Sequence, residues 1–142
     1  MNGPLLLDNS AWARLNDPRV DDDRVAEIAT ALSAGEIWVC LPFVLEAGYS
    51  ARHVGDHDRL MDLFRGMPWL HIDAEVESRA VQAQRQLARQ GHHRLPPVDL
   101  LLAALADRHG AGILHFDRDF DLIAEHTGLR FASEWLAPPD TL

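Results

Sequence analysis

Short apolar runs alternate along this chain with longer stretches of helical periodicity, and that alternation limits the fold more than any other feature. Leu5–Leu7, Ile37–Leu41, Trp69–Ile72, Ile113–Phe116 and a run near Leu129–Ala132 each read as a buried strand. Between them, apolar residues return at helical spacing from about Asp21 to Ser33, Pro42 to Arg52, Asp58 to Arg65, Glu75 to Gln90 and Asp99 to His109. A loop at Asp8-Asn9-Ser10 follows the first run, and a short helix follows Asp121. Gly35, Gly91 and Gly110 are natural helix stops, and Pro42 suits a first helical position. The 99–109 helix is apolar all round, as a helix buried on most sides must be. Strands that alternate with helices build right-handed βαβ units, so the expected fold is a three-layer α/β/α domain with a mostly parallel sheet of about five strands. One domain over residues 1–136 with a loose tail at 137–142 suits the length of 142 residues.

In such sheets, function sits beyond the carboxyl ends of the strands. Asp8 directly follows the first strand and Asp117 the fourth. Glu46 lies one turn into the helix after the second strand, Asp99 opens the most apolar helix, and Asp119 and Asp121 extend the loop after Asp117. Each has a plainer use: Asp8 or Asp119 as a helix cap, Asp99 as a complement to a helix dipole. Glu46 has the weakest such use, because its helical neighbours are apolar. Acids gathered at one edge repel, and their pKa values rise until some stay protonated or a cation intervenes. An all-oxygen set favours Mg²⁺, with Mn²⁺ as a substitute, over zinc.

The net charge is −9, which on its own argues against nucleic-acid binding. All 13 basic residues are arginine. Without lysine, a Walker A phosphate loop is excluded, as is the lysine that haloacid dehalogenase-like and receiver-like phosphotransfer folds set beside the phosphoryl group. The single cysteine, Cys40, sits in an apolar run and reads as a buried thiol. No run approaches the roughly 20 apolar residues of a membrane span, and no signal peptide is evident, so a cytoplasmic protein is expected.

Leu-Leu-Leu-Asp8-Asn-Ser-Ala, Leu-Pro-Phe-Val-Leu-Glu46-Ala, Pro-Pro-Val-Asp99-Leu-Leu-Leu-Ala-Ala-Leu-Ala and Ile-Leu-His-Phe-Asp117-Arg-Asp119-Phe-Asp occur in this order across nearly the whole chain. Together these blocks resemble the acidic motifs of the PIN domain, and within it the VapC toxins of type II toxin–antitoxin pairs. The resemblance implies a Mg²⁺-dependent endoribonuclease that hydrolyses RNA with a metal-activated water, forms a homodimer and is inhibited by a cognate VapB-like antitoxin. It carries over Asp8, Glu46, Asp99 and Asp117 as the acidic quartet, with Asp8, Asp99 and Asp117 on the metal. Asp119 is an auxiliary acid and Ser10 the small hydroxyl residue that helps hold the metal water. Asn9 departs from the Ser or Thr often found there. A Mg²⁺-dependent phosphatase and a non-catalytic scaffold of the same fold are the alternatives.

Other residues are less specific. Arg85, Arg89 and Arg94, in a stretch that also holds Arg79, four glutamines and His92-His93, could contact the RNA backbone or form a solvated helix face. His92-His93 reads as a solvated turn, and His115, two before Asp117, as a core residue or a support for the site. Trp12, Phe43 and Tyr49 suit core packing, or a groove for a partner helix.

Overall fold

A computed structural model describes residues 3–92 and 94–142; His93 lies outside the described residues. The elements run β1 (Leu5–Leu7), α1 (Asn9–Trp12), α2 (Asp22–Ser33), β2 (Ile37–Cys40), α3 (Leu41–Tyr49), α4 (Val54–Arg65), β3 (Trp69–Leu70), α5 (Ala74–Arg89), α6 (Pro97–His109), β4 (Gly112–His115), α7 (Arg118–His126) and β5 (Ser133–Trp135). The sheet order is β3-β2-β1-β4-β5, and every neighbouring pair is parallel. β1 is central, with Leu5 opposite Ile37 on one side and Gly112 on the other, which is why Leu5, Leu6 and Leu7 can all be buried. Right-handed crossovers in this order carry α1–α4 over one face and α5–α7 over the other. The winding reverses between β1 and β4, and a crevice opens beyond their carboxyl ends.

Two glycines are required by the backbone. Gly110 closes α6 in the left-handed conformation, with φ 67°. A Cβ at Gly112 would come within 2.8 Å of a Leu5 methyl and 2.9 Å of the Ala132 carbonyl, so β4 can lie between its neighbours only without one. Helix α6 is the spine of the core: Leu102 through Ala106 are fully buried, as its apolar sequence requires.

The elements differ from the sequence expectation in particular places. The expected Leu129–Ala132 strand is a connection, and β5 lies at Ser133–Trp135, pairing Ile113 with Ser133. Leu129 is apolar because it plugs the core, whereas the edge strand itself is half-exposed and has no apolar signature. The Asp8-Asn9-Ser10 segment is the cap and first turn of α1 rather than a loop, α4 starts at Val54 rather than Asp58, and α7 starts at Arg118 rather than beyond Asp121. In the tail, Arg118 pairs with Asp140 and Leu142 packs against the core.

Candidate metal centre

The site is built where chain direction changes. Asp8 leaves β1 in extended conformation and caps α1: its Oδ2 accepts from the Ser10 amide at 2.9 Å and from the Ser10 hydroxyl. The Ser10 Oγ in turn accepts from the Phe116 amide at 2.9 Å, joining the ends of β1 and β4. Asp117 leaves β4 the same way and caps α7, its Oδ1 accepting from the Asp119 amide at 2.9 Å. That cap belongs to Asp117 and not to Asp119, whose carboxylate in the first turn is left for other work. Asp99 sits in the first turn of α6, which begins at Pro97 without a side-chain cap. Glu46 faces the same region from α3.

Electrostatically these acids behave as one group. Burial first, then the charges of Asp8, Asp117, Asp119 and Glu46 in that order, push Asp99 up to about 8. Burial also raises Asp8 against the lowering effect of its Ser10 bonds, and Asp117 adds to the rise. Glu46 is raised by burial and by Asp8, and Asp119 by burial and by Asp117. No arginine or histidine is ion-paired with any of the five among the described residues. The Asp99 Oδ2 is buried with no hydrogen-bond partner among the described residues. A lone buried carboxylate oxygen is costly, and a cation relieves that cost. One carboxylate oxygen each from Asp99, Asp117 and Asp119 lie within 4.8 Å of one another, an all-oxygen donor set that suits a hard divalent ion. Asp119 therefore stands inside the tightest group, while Asp8 stands beside it.

Other residues singled out in the sequence are distributed as follows. His115 is fully buried, with both ring nitrogens bonded and a pKa lowered to about 4 by burial. Cys40 is buried under the site and its thiol is pushed up to about 12 by burial, which makes it a core residue. Arg79 is committed to Glu75 and Asp107, whereas Arg85, Arg89 and Arg94 are exposed and make no ion pair among the described residues. Gln86 and Gln90 are used structurally, tying α5 to the end of α7. Of the expected His92-His93 turn, His93 lies outside the described residues, Gly91 and Arg94 are exposed turn residues, and His92 is half-buried with its ring 4.5 Å from that of His126. Phe43 is a core residue in an edge-to-face trio with Trp12 and Phe64, while Tyr49 is 92% exposed.

Comparison with known proteins gives the same outline. Ribonuclease VapC18 of Mycobacterium tuberculosis is 37% identical over 139 residues, covering 96% of this chain and 97% of that protein. Ribonuclease VapC51 of the same organism is 35% identical over 137 residues, 96% of each chain. Among solved structures, VapBC2 from Rickettsia felis bound to a promoter DNA fragment contains a chain that superposes with a TM-score of 0.71 over 92% of this chain and 98% of its own; at 13% identity it shares the fold. The family model of the PIN domain matches residues 5–126, from β1 through the end of α7, and so spans all five acids: the chain belongs to the PIN-domain family.

Proposed function

We propose that this PIN-domain chain is a metal-dependent endoribonuclease, the toxin half of a VapBC-type toxin–antitoxin pair, and that Asp8, Glu46, Asp99 and Asp117 form its catalytic set. The observation that carries the reading is the five-acid pocket whose carboxylates, among the described residues, pair with no guanidinium in a chain with 13 arginines. Relatives named ribonucleases match 96% of its length.

The donor set and the orphaned Asp99 oxygen fit Mg²⁺, with Mn²⁺ as a substitute. Asp99 and Asp117 would hold the ion together with Asp119, which joins Asp8 in completing its surroundings; Glu46 would orient water from the α3 side. When bound, such an ion supplies counter-charge for the acids and polarises water and phosphate oxygens during phosphodiester hydrolysis. The protein's own part is positioning. The Ser10 hydroxyl fixes the Asp8 rotamer and, through the Phe116 amide, the spacing of the β1 and β4 ends. Asp99 gives up its proton on loading, because a ligating carboxylate must be ionised.

The exposed Arg85, Arg89 and Arg94 offer the RNA backbone a positive flank on an otherwise acidic molecule. The antitoxin's place is the groove of about 540 Å³ between α1, α3 and α4, where Trp12, Leu60 and Leu63 make an apolar floor and Arg52 and Arg59 edge the rim. A second copy of the chain would cover the exposed apolar side chains of Leu41, Leu45, Tyr49 and Ile72, which lie together beside Glu46. Among the described residues no helix is long and apolar enough to cross a membrane, and a cytoplasmic site of action suits the RNA substrate.

The test is single-turnover cleavage of structured cellular RNA with Mg²⁺, comparing the wild type, Asp8→Asn and an EDTA control. Cleavage by the wild type alone supports the reading. Equal cleavage in all three points to a contaminating nuclease and removes it.

A further inference from the structure

His115 ends β4, fully buried between the rings of Phe120 and Trp135 at 4.9 and 5.0 Å. Simple packing would be served better there by an apolar side chain, since a buried imidazole is costly unless both nitrogens are satisfied. Both are. The Asp117 amide donates to Nδ1 at 3.1 Å, and Nε2 lies 2.7 Å from the Ser133 Oγ. An Nδ1 that accepts leaves the proton of the neutral ring on Nε2, so Nε2 donates to Ser133. Ser133 Oγ donates onward to Asp121 Oδ1 at 2.6 Å, and Trp135 Nε1 donates to Asp121 Oδ2 at 3.0 Å. Every donor and acceptor in this chain is used in one consistent direction.

The bonds close a ring through three elements. From His115 on β4, one arm reaches the cap of α7 at Asp117; the other reaches β5 at Ser133 and returns to α7 at Asp121, one turn further along. The Asp117 amide lies past the point where the sheet supplies an acceptor, the strand ladder having ended with Leu136 donating to the His115 carbonyl. The imidazole takes over where the ladder stops.

We propose that His115 is a positioning residue for the metal centre, holding the first turn of α7 through the Asp117 main chain and through Ser133 and Asp121, so that the Asp117 and Asp119 carboxylates face Asp99. It rests on the reading of those acids as ligands of a divalent ion. Asp117 Oδ1 accepts the amide that caps α7, so the carboxylate's orientation toward Asp99 and Asp119 follows the main chain at this turn. Outer groups that orient ligands typically change metal affinity by about 10–100-fold when removed.

The experiment is calorimetric titration of Mn²⁺ into the wild type, His115→Leu, His115→Asn and Phe120→Leu, with Tm measured for each metal-free protein. His115→Leu loses both ring bonds, and its Kd rises by about tenfold or more. His115→Asn keeps an acceptor for the Asp117 amide in its side-chain carbonyl, and recovers most of that loss. Phe120→Leu loosens the packing on the same ring while leaving the hydrogen bonds; it lowers Tm but holds Mn²⁺ as the wild type does. An unchanged Kd in His115→Leu, an equal loss in His115→Asn, or a loss in Phe120→Leu that follows its fall in Tm would overturn the proposal and leave the metal reading standing. Failure of the wild type to bind Mn²⁺ would overturn both.

Discussion

The two ends of α6 carry the same residue in opposite circumstances. At its C-terminal end, Asp107 receives the Arg79 guanidinium at 3.1 Å, and Arg79 also holds Glu75. At its N-terminal end, Asp99 is buried beside four other acids, and among the described residues no cation pairs with it and one of its oxygens has no hydrogen-bond partner. Arginine is not scarce; it is placed on Asp17, Asp56, Asp62, Asp73, Glu134 and Asp140, all away from the pocket. Several carboxylates outside the pocket are thus neutralised by the protein itself, whereas among the described residues none of the five in the pocket is ion-paired. Helix α6 spans both regimes and is buried through its middle, so the fold can hold repulsion at one end with the apolar packing along the rest of its length.

The largest expected effect lies at the unpaired end. Asp8→Asn removes one charge with little change of shape, and RNA cleavage should fall by orders of magnitude in the single-turnover assay, because the lost interaction acts mainly in the transition state. Retention of even a tenth of wild-type cleavage would remove Asp8 from the catalytic set.

Next is the cost of keeping Asp99 ionised. Its folded-state pKa of about 8 stands above the ordinary 3.8, so the folded protein holds the proton more tightly than the unfolded chain. That contribution is whole below about pH 4 and lost as pH rises through about 8. In EDTA, Asp99→Asn should therefore be more stable than the wild type at pH 8 by about 1–3 kcal/mol in urea denaturation. That range follows from roughly 1.4 kcal/mol for each pH unit separating the folded and unfolded values, reduced for relaxation of the site. The gap should close toward pH 4. His115 works in the opposite sense. Lowered to about 4 from 6.5, it removes stability as pH falls through that window, so His115→Asn should flatten the acid limb alone. A variant Asp99→Asn that is less stable at pH 8 would show that burial and the neighbouring acids together do not make the ionised Asp99 costly.

Smaller effects belong to the arginines. Arg89→Ala should lower the slope of RNA affinity against salt by about one phosphate contact, leaving the cleavage step nearly intact. Arg79→Gln should cost a little thermal stability and leave Mn²⁺ affinity unchanged, because its partners are outside the pocket. A metal-binding defect in Arg79→Gln would erase the distinction between the two ends of α6.

Much of this is legible from residue order. β1, β2 and β4 lie inside the sheet, so burial on both faces writes them as unbroken apolar runs, and an acid directly after such a run falls at the carboxyl edge. Asp8 and Asp117 follow from that rule, and Asp99 and Glu46 from the helices that carry them. β5 escapes the pattern because an edge strand of Ser133, Glu134 and Trp135 carries no such run. Asp119 reads in the sequence as a cap or an auxiliary acid, because its meeting with Asp99 depends on how α7 turns away from β4, which only packing decides. The His115 ring is out of reach for the same reason: its partner Ser133 is 18 residues distant, on the one strand that apolar patterning does not reveal. Long-range polar pairing has no local periodicity to betray it.

The claim that the five acids are kept unpaired for a divalent ion is tested most directly by titrating Mn²⁺ into the metal-free wild type and Asp99→Asn while following thermal unfolding. Binding to the folded state alone should raise wild-type stability by about 2.7 kcal/mol at a hundredfold excess over Kd, and this gain should be nearly absent in Asp99→Asn, whose metal-free form starts out the more stable of the two. An equal Mn²⁺ gain in both proteins, or none in the wild type, would contradict the account.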